Sequence, residues 1–270
     1  MLPIPKTSAN TLEPPEGSSL YYSLLYTAPE LRANVLHVLT LIDTLERTLD
    51  GVREHQVAEV KIHWWHEEID RLFEGQPRHP ETRNCQTILA PVEDSRKQLL
   101  SVLSATSSER LASTRTDAAA QQRITEDYQA RLTLLFTALQ QAPQSFATLA
   151  LGLGQHHRLR RLATLLKMGV EVFSDEAYQR HNTTPDDVLR GNSSELIAEA
   201  IADAHGAITQ GLNDLSNERG LPQSLITHTR ISRQQCRHWQ KRSPCIATLS
   251  TTLTPLRKFF IAWRTKKNHA

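Results

Sequence analysis

Glycine is scarce in this chain, ten residues in 270. No stretch alternates apolar and polar residues between turn signals, which argues against a sheet protein and predicts an all-α chain. Cysteine is scarcer still: Cys85, Cys236 and Cys245 have neither zinc-ligand spacing nor the even count of a disulfide framework, so reduced thiols are expected. No apolar run reaches the roughly 18 residues of a membrane span, and prolines interrupt the opening MLPIPKTSANTLEPPEG where a secretory signal needs its apolar core. A cytoplasmic protein is expected, soluble or peripheral on the inner membrane. A glycine-rich phosphate loop, a nucleophile elbow and a CxxC pair are all missing, and HWWHEEID lacks the second histidine of a zinc-protease helix.

Acidic residues are missing after Glu218, where eleven arginines and lysines follow, so the net charge of +2 balances a basic end against an acid-rich remainder. Such an end suits an anionic membrane surface or an acidic protein partner, and a solvated basic face is the plainer alternative. Nucleic acid is not expected as a partner, because aromatic residues are not interleaved there as a stacking surface requires.

What is present is helical periodicity. Residues 1–17 read as a disordered or draped leader, and 18–267 as one domain of antiparallel helices. Ser18 or Ser19 caps a short first helix, and Pro29 opens a second that runs to Asp50. From Val57 a long helix carries Val57, Val60, Trp64, Trp65, Leu72 and Phe73 on one broad side and stops at Gly75 and Pro77. Lys61 and Glu68 sit in the middle of that side. Buried charges need compensation, so the two face a polar cavity or pair with neighbouring helices. Further helices are expected at 94–103, 117–140, from Pro143 past the basic run to Gly169, 193–215, 221–241 and 255–267, with Thr184 capping a short one. The last sets Leu256, Phe259, Phe260 and Trp263 against arginines and lysines, and either closes the bundle or rests on a membrane.

Asp43, Glu46 and Asp50 share one edge of the second helix. Carboxylates so spaced can hold a hard cation such as magnesium; the alternative is a solvated edge with Asp43 paired to Arg47.

Four collinear strings carry a resemblance: SSLYYSLLYTAPELRANVLHVL, KIHWWHEEIDRLFEGQPRHP, TPDDVL and LTPLRKFFIAWR. Together they resemble the squalene/phytoene synthase family, over about Ser18 to Arg264. The resemblance implies a class I isoprenoid synthase fold, a single helical bundle around a central cavity. It also implies two facing DxxxD motifs that bind magnesium and, through it, two prenyl diphosphates joined head to head. Here Glu46 and Asp50 keep carboxylates at the first and fifth positions of the first motif, with Arg47 where a carboxylate is expected. The helix after Gly152, where the second motif belongs, has no aspartate and instead carries His156, His157, Arg158, Arg160 and Arg161, expected as a basic surface for phosphate or an acidic lipid. The implied substrate pocket comprises Tyr22, Arg32, Lys61, Trp65, Glu68 and Tyr128. Two functions follow. One is a member that has lost prenyl transfer and works as a membrane-peripheral binding or assembly protein for a prenyl diphosphate, a lipid or a protein partner, as in a branch that assembles respiratory complex I. The other is a magnesium-dependent prenyl transferase.

Overall fold

The computed structural model describes residues 13–52, 54–111, 116–142, 145–215 and 221–269. Among them every regular element is helical. In chain order these are α1 (Ser19–Leu24), α2 (Pro29–Glu46), α3 (His55–Phe73), α4 (Pro80–Leu89), α5 (Asp94–Leu111), α6 (Asp117–Ala138) and α7 (Ala147–Lys167), then α8 (Asp175–Arg180), α9 (Pro185–Arg190), α10 (Ser194–Leu215), α11 (Gln223–Gln240), α12 (Ile246–Leu249) and α13 (Pro255–His269). No described helix is long and apolar enough to cross a membrane.

Local chemistry sets the helix ends. The Ser18 hydroxyl accepts from the Tyr21 amide at 3.0 Å, which starts α1. Thr184 and Asp187 close a capping box around the start of α9, so Asp187 is a helix-start acid as its position suggests. Two boundaries differ from the periodic pattern. The helix α2 ends at Glu46, because Arg47 takes φ −92° and ψ 0° and the chain then turns, so Asp50 leaves the acidic edge expected for it. In contrast, α5 runs past Leu103, where the expected helix stops, to Leu111. Of the 1–17 leader, residues 1–12 lie outside the described residues, as does Pro143; the helix expected from Pro143 begins at Ala147.

Two large apolar clusters make up most of the core, with a small third one of Leu49, Val52 and Ala58. One joins α2, α3, α4 and α5 to one side of α6, around Leu36, Leu41, Leu45, Ile69 and Leu72. The other joins α7, α10 and α11 to the opposite side of α6, around Leu153, Leu162, Ile201, Ile208 and Trp239. The helix α7 packs between α6 and α10. That approach depends on missing side chains: a Cβ on Gly152 would lie 2.5 Å from the Ile208 nitrogen, and one on Gly154 would lie 2.5 Å from Ile124 Cγ2.

The helix α3 is turned from its expected setting. Its inner face is Ala58, Trp65, Glu68, Ile69 and Leu72, while Val57, Val60 and Trp64 are exposed. Lys61 is exposed too, and its ammonium donates to the Thr48 carbonyl at 3.2 Å rather than entering a cavity. Glu68 is fully buried, but its partners are local. Its Oε1 accepts from the Arg78 amide (2.7 Å), the His79 amide (2.8 Å) and the Thr82 hydroxyl (2.5 Å), and its Oε2 from Arg71 Nε (2.9 Å). Burial alone would raise its pKa; these donors outweigh burial and hold it below the usual carboxylate value. Glu68 therefore ties the turn between α3 and α4.

Candidate functional site: a charge cluster beside an apolar cavity

Between the two core clusters lies a cavity of about 150 Å³ walled by α1, α2, α6 and α7 and the start of α11. Leu20, Leu24, Leu36, Leu39, Leu132 and Leu135 supply much of its surface, and Glu46, Tyr128, Arg131, His157 and His228 mark its polar end. A polar cleft of about 250 Å³ adjoins it, lined by Ser101, Ser104, Arg123, Asp127 and Arg158. Glu46, Tyr128 and His157 border both spaces. They stand on three helices, so the partition between the oily and polar compartments exists only when α2, α6 and α7 are assembled.

Glu46, the last residue of α2, is the centre of the partition. Its Oε2 accepts from Arg131 Nη1 of α6 at 3.2 Å. Its Oε1 lies 2.7 Å from His157 Nε2 and pairs with the Arg161 guanidinium, both on α7. Burial pushes this carboxyl towards neutrality, but Arg131, His157 and Arg161 together prevail and hold its pKa well below the ordinary carboxylate range. Arg131 is itself buried and donates from Nε to Asp127 at 3.0 Å. Asp50 fares differently. Arg161 Nη2 stands 3.9 Å from it, and burial outweighs that cation and Arg47, so its pKa is raised. Asp43 pairs with Arg47 Nε at 2.9 Å, the alternative considered for that edge.

This donor set does not fit magnesium. A hard cation needs several free oxygen ligands, and both Glu46 oxygens are committed to cations. Where a second carboxylate motif would face it, α7 offers a histidine and arginines. Among the described residues no group of three histidine, cysteine, aspartate or glutamate side chains stands close enough to hold a metal ion.

The run on α7 is also no basic surface. His156 is buried and stacks on the Trp239 ring at 5.2 Å, with burial pressing its pKa well below 6.5. His157 and Arg161 turn to Glu46. Arg158 reaches the Val172 carbonyl at 3.4 Å. Arg160 is half-buried beside Asp50 and Thr164 in a smaller pocket of about 100 Å³. A helix packed on two sides cannot turn all five of these side chains to water, so they divide between interior and rim.

Of the six residues named for a substrate pocket, Tyr128 alone lines the cavity, and burial raises its hydroxyl to about 12. Trp65 fills the core beside His79, at 5.0 Å between rings. Arg32 binds the Thr27 carbonyl at 3.2 Å near the start of α2. Tyr22 meets Phe259 of α13 at 6.5 Å. Lys61 and Glu68 lie away from the cavity as described. Arg131 and His228 were missed. Arg131 carried one signal, the Asp127 four residues before it; His228, on a helix read only as basic, carried none.

The bundle has known relatives. The model of squalene/phytoene synthases matches residues 14–227. A crystal structure of a dehydrosqualene synthase in complex with ligand is similar at TM-score 0.76 and 14% identity, covering 93% of this chain and 91% of that one. The squalene synthase HpnC from Alicyclobacillus acidocaldarius is similar at TM-score 0.63 and 14% identity, covering 92% and 88%. At such identities these likenesses concern the fold, the isoprenoid synthase bundle. No curated protein sequence matches this one. With a match across most of its length and the bundle to go with it, the chain belongs to the squalene/phytoene synthase family.

Proposed function

We propose that this protein has given up magnesium-dependent prenyl transfer and binds an amphipathic isoprenoid or lipid, with its chain in the apolar cavity and its polar head in the adjoining cleft. The observation that carries the reading is the engagement of Glu46. Ionising a prenyl diphosphate develops multiple negative charge on the leaving group, which the family meets with metal ions. With Glu46 held by Arg131, His157 and Arg161, and no aspartates on α7, those ions have no grip here. The apolar compartment remains, and burial of a hydrocarbon chain needs no metal. A role in binding or assembly is consistent with these features, as is a prenyl diphosphate held directly by cationic side chains.

The test is incubation with farnesyl or geranylgeranyl diphosphate, with magnesium and separately with a chelator. We expect no release of pyrophosphate and no hydrocarbon product in either condition, together with a ligand-dependent rise in Tm that persists in the chelator. Magnesium-dependent release with product would establish the prenyl transferase instead.

A further inference from the structure

The helix α13 is built inside out. The side it turns to the bundle is Lys258, Ala262 and Thr265, all buried, with Lys258 only 3% exposed. The side it turns to solvent is Leu256, Phe259, Phe260 and Trp263, with Leu256 78% exposed. The inner polar groups are satisfied: Lys258 Nζ donates to the Gly17 carbonyl at 2.9 Å, and Arg230 Nη1 donates to the Thr265 hydroxyl at 3.0 Å. A helix that only closed a bundle would place its aromatics inward. This one uses polar contacts for docking and leaves its apolar stripe free.

Charge distribution selects the occupant of that stripe. At 100° per residue, Arg257 and Arg264 run along one edge and Lys266 lies on the other. Lys266 also sits 4.6 Å over the Tyr26 ring, and Lys267 6.0 Å over Trp263. No acidic residue follows Glu218. An apolar stripe with aromatic rings and cations at both edges matches a helix lying in the headgroup layer of an anionic bilayer. The other exposed apolar group, Val57, Val60 and Trp64 on α3, is bordered by both signs, Glu59 and Glu67 as well as Lys61 and Arg71, whereas α13 carries no acidic residue.

We infer that α13 is the membrane-docking surface of this protein, seating Leu256, Phe259, Phe260 and Trp263 among the acyl chains of an anionic phospholipid bilayer while Arg257, Arg264 and Lys266 meet lipid phosphates. Tyr22 and Tyr26, which contact α13, join the rim of this surface. The same α1 that carries Tyr22 walls the apolar cavity with Leu20 and Leu24. Docking therefore sets the cavity wall beside the bilayer. The inference stands whether or not a prenyl chain enters that cavity.

The test is co-sedimentation of the full chain with phosphatidylcholine vesicles, with and without phosphatidylglycerol, for the parent and two variants. One is Phe260→Ser with Trp263→Ser; the other is Arg257→Glu with Arg264→Glu. All four side chains are exposed, so thermal melts should match the parent and certify folding. We expect binding to the anionic vesicles, about ten-fold weaker binding or less for both variants, and loss of a vesicle-induced blue shift in tryptophan emission for the first. Failure of the parent to sediment, undiminished binding by either folded variant, or equal binding to neutral vesicles would overturn the inference. So would a parent that is a dimer in solution and becomes a monomer in the Phe260→Ser, Trp263→Ser variant, since the face would then join two copies.

Discussion

Glu46 carries more of the site than any other side chain, because two arginines and a histidine from other helices converge on one carboxylate. Replacing it with glutamine leaves Arg131 and Arg161 among buried groups without their shared counter-ion. Breaking one side of a buried charge cluster costs about 3 kcal/mol or more, and urea denaturation of Glu46→Gln should register that loss. The sign with pH is fixed by the direction of the shift. A carboxyl held below its ordinary value contributes stability that is present above that value and disappears as pH falls through the folded-state pKa. Two histidines act at higher pH. Burial, reinforced by Arg160, lowers His228 from 6.5 to about 4 and presses His156 well below 6.5. The unfolded chain takes up these protons first, so their contribution is complete above pH 6.5 and declines towards pH 4. Melting temperature measured against pH should therefore fall first in that window, and His228→Gln should flatten the fall. Spacing within one helix exposes Glu46, Asp50 and the cations of α7 as unusual. It does not reveal that they meet, since 111 residues separate Glu46 from His157; that fact belongs to packing.

At the scale of elements, α7 sits closer to its neighbours than any residue with a side chain would permit. Alanine is the better helix former by about 1 kcal/mol, so propensity alone predicts that Gly152→Ala stabilises the protein. Packing predicts the reverse, since the new Cβ would meet Ile208 and Ala207 backbone atoms at 2.5 and 2.9 Å. Overpacking of this kind costs about 1–3 kcal/mol. A lowered Tm for Gly152→Ala, with Gly206→Ala unharmed because its Cβ meets nothing within 4 Å, would show that proximity governs. Ten of the thirteen described helices were legible from periodicity and caps, as at Ser18, Thr184 and Gly75, and α4, α8 and α12 went unsignalled. The rotation of α3 was not legible. That helix has two apolar stripes: Val57, Val60 and Trp64 face out, while Ala58, Trp65, Ile69 and Leu72 face in together with Glu68, which anchors the following turn. Composition ranks a buried glutamate as improbable, and only its four donors make it favourable. Glu68→Ala strands the Arg78 and His79 amides and should lower stability by about 2–3 kcal/mol, read by denaturant midpoint.

For the molecule as a whole, the apolar cavity lies where two core clusters fail to merge, and the charge cluster occupies its polar border. The bundle and its family were legible from four weak strings in the right order; the pairing of Glu46 with Arg131, His157 and Arg161 needed three dimensions. The Lys258 bond to Gly17 spans 241 positions of sequence, and α1 has its main partners in α11 and α13. This matters during synthesis. Since α1 is synthesised well before α11 and α13, it must wait for them, and the cavity stays unwalled on that side until they have been made. The nascent protein thus passes through a stage at which its apolar cavity stands open, and a hydrophobic guest or a chaperone has its readiest entry then.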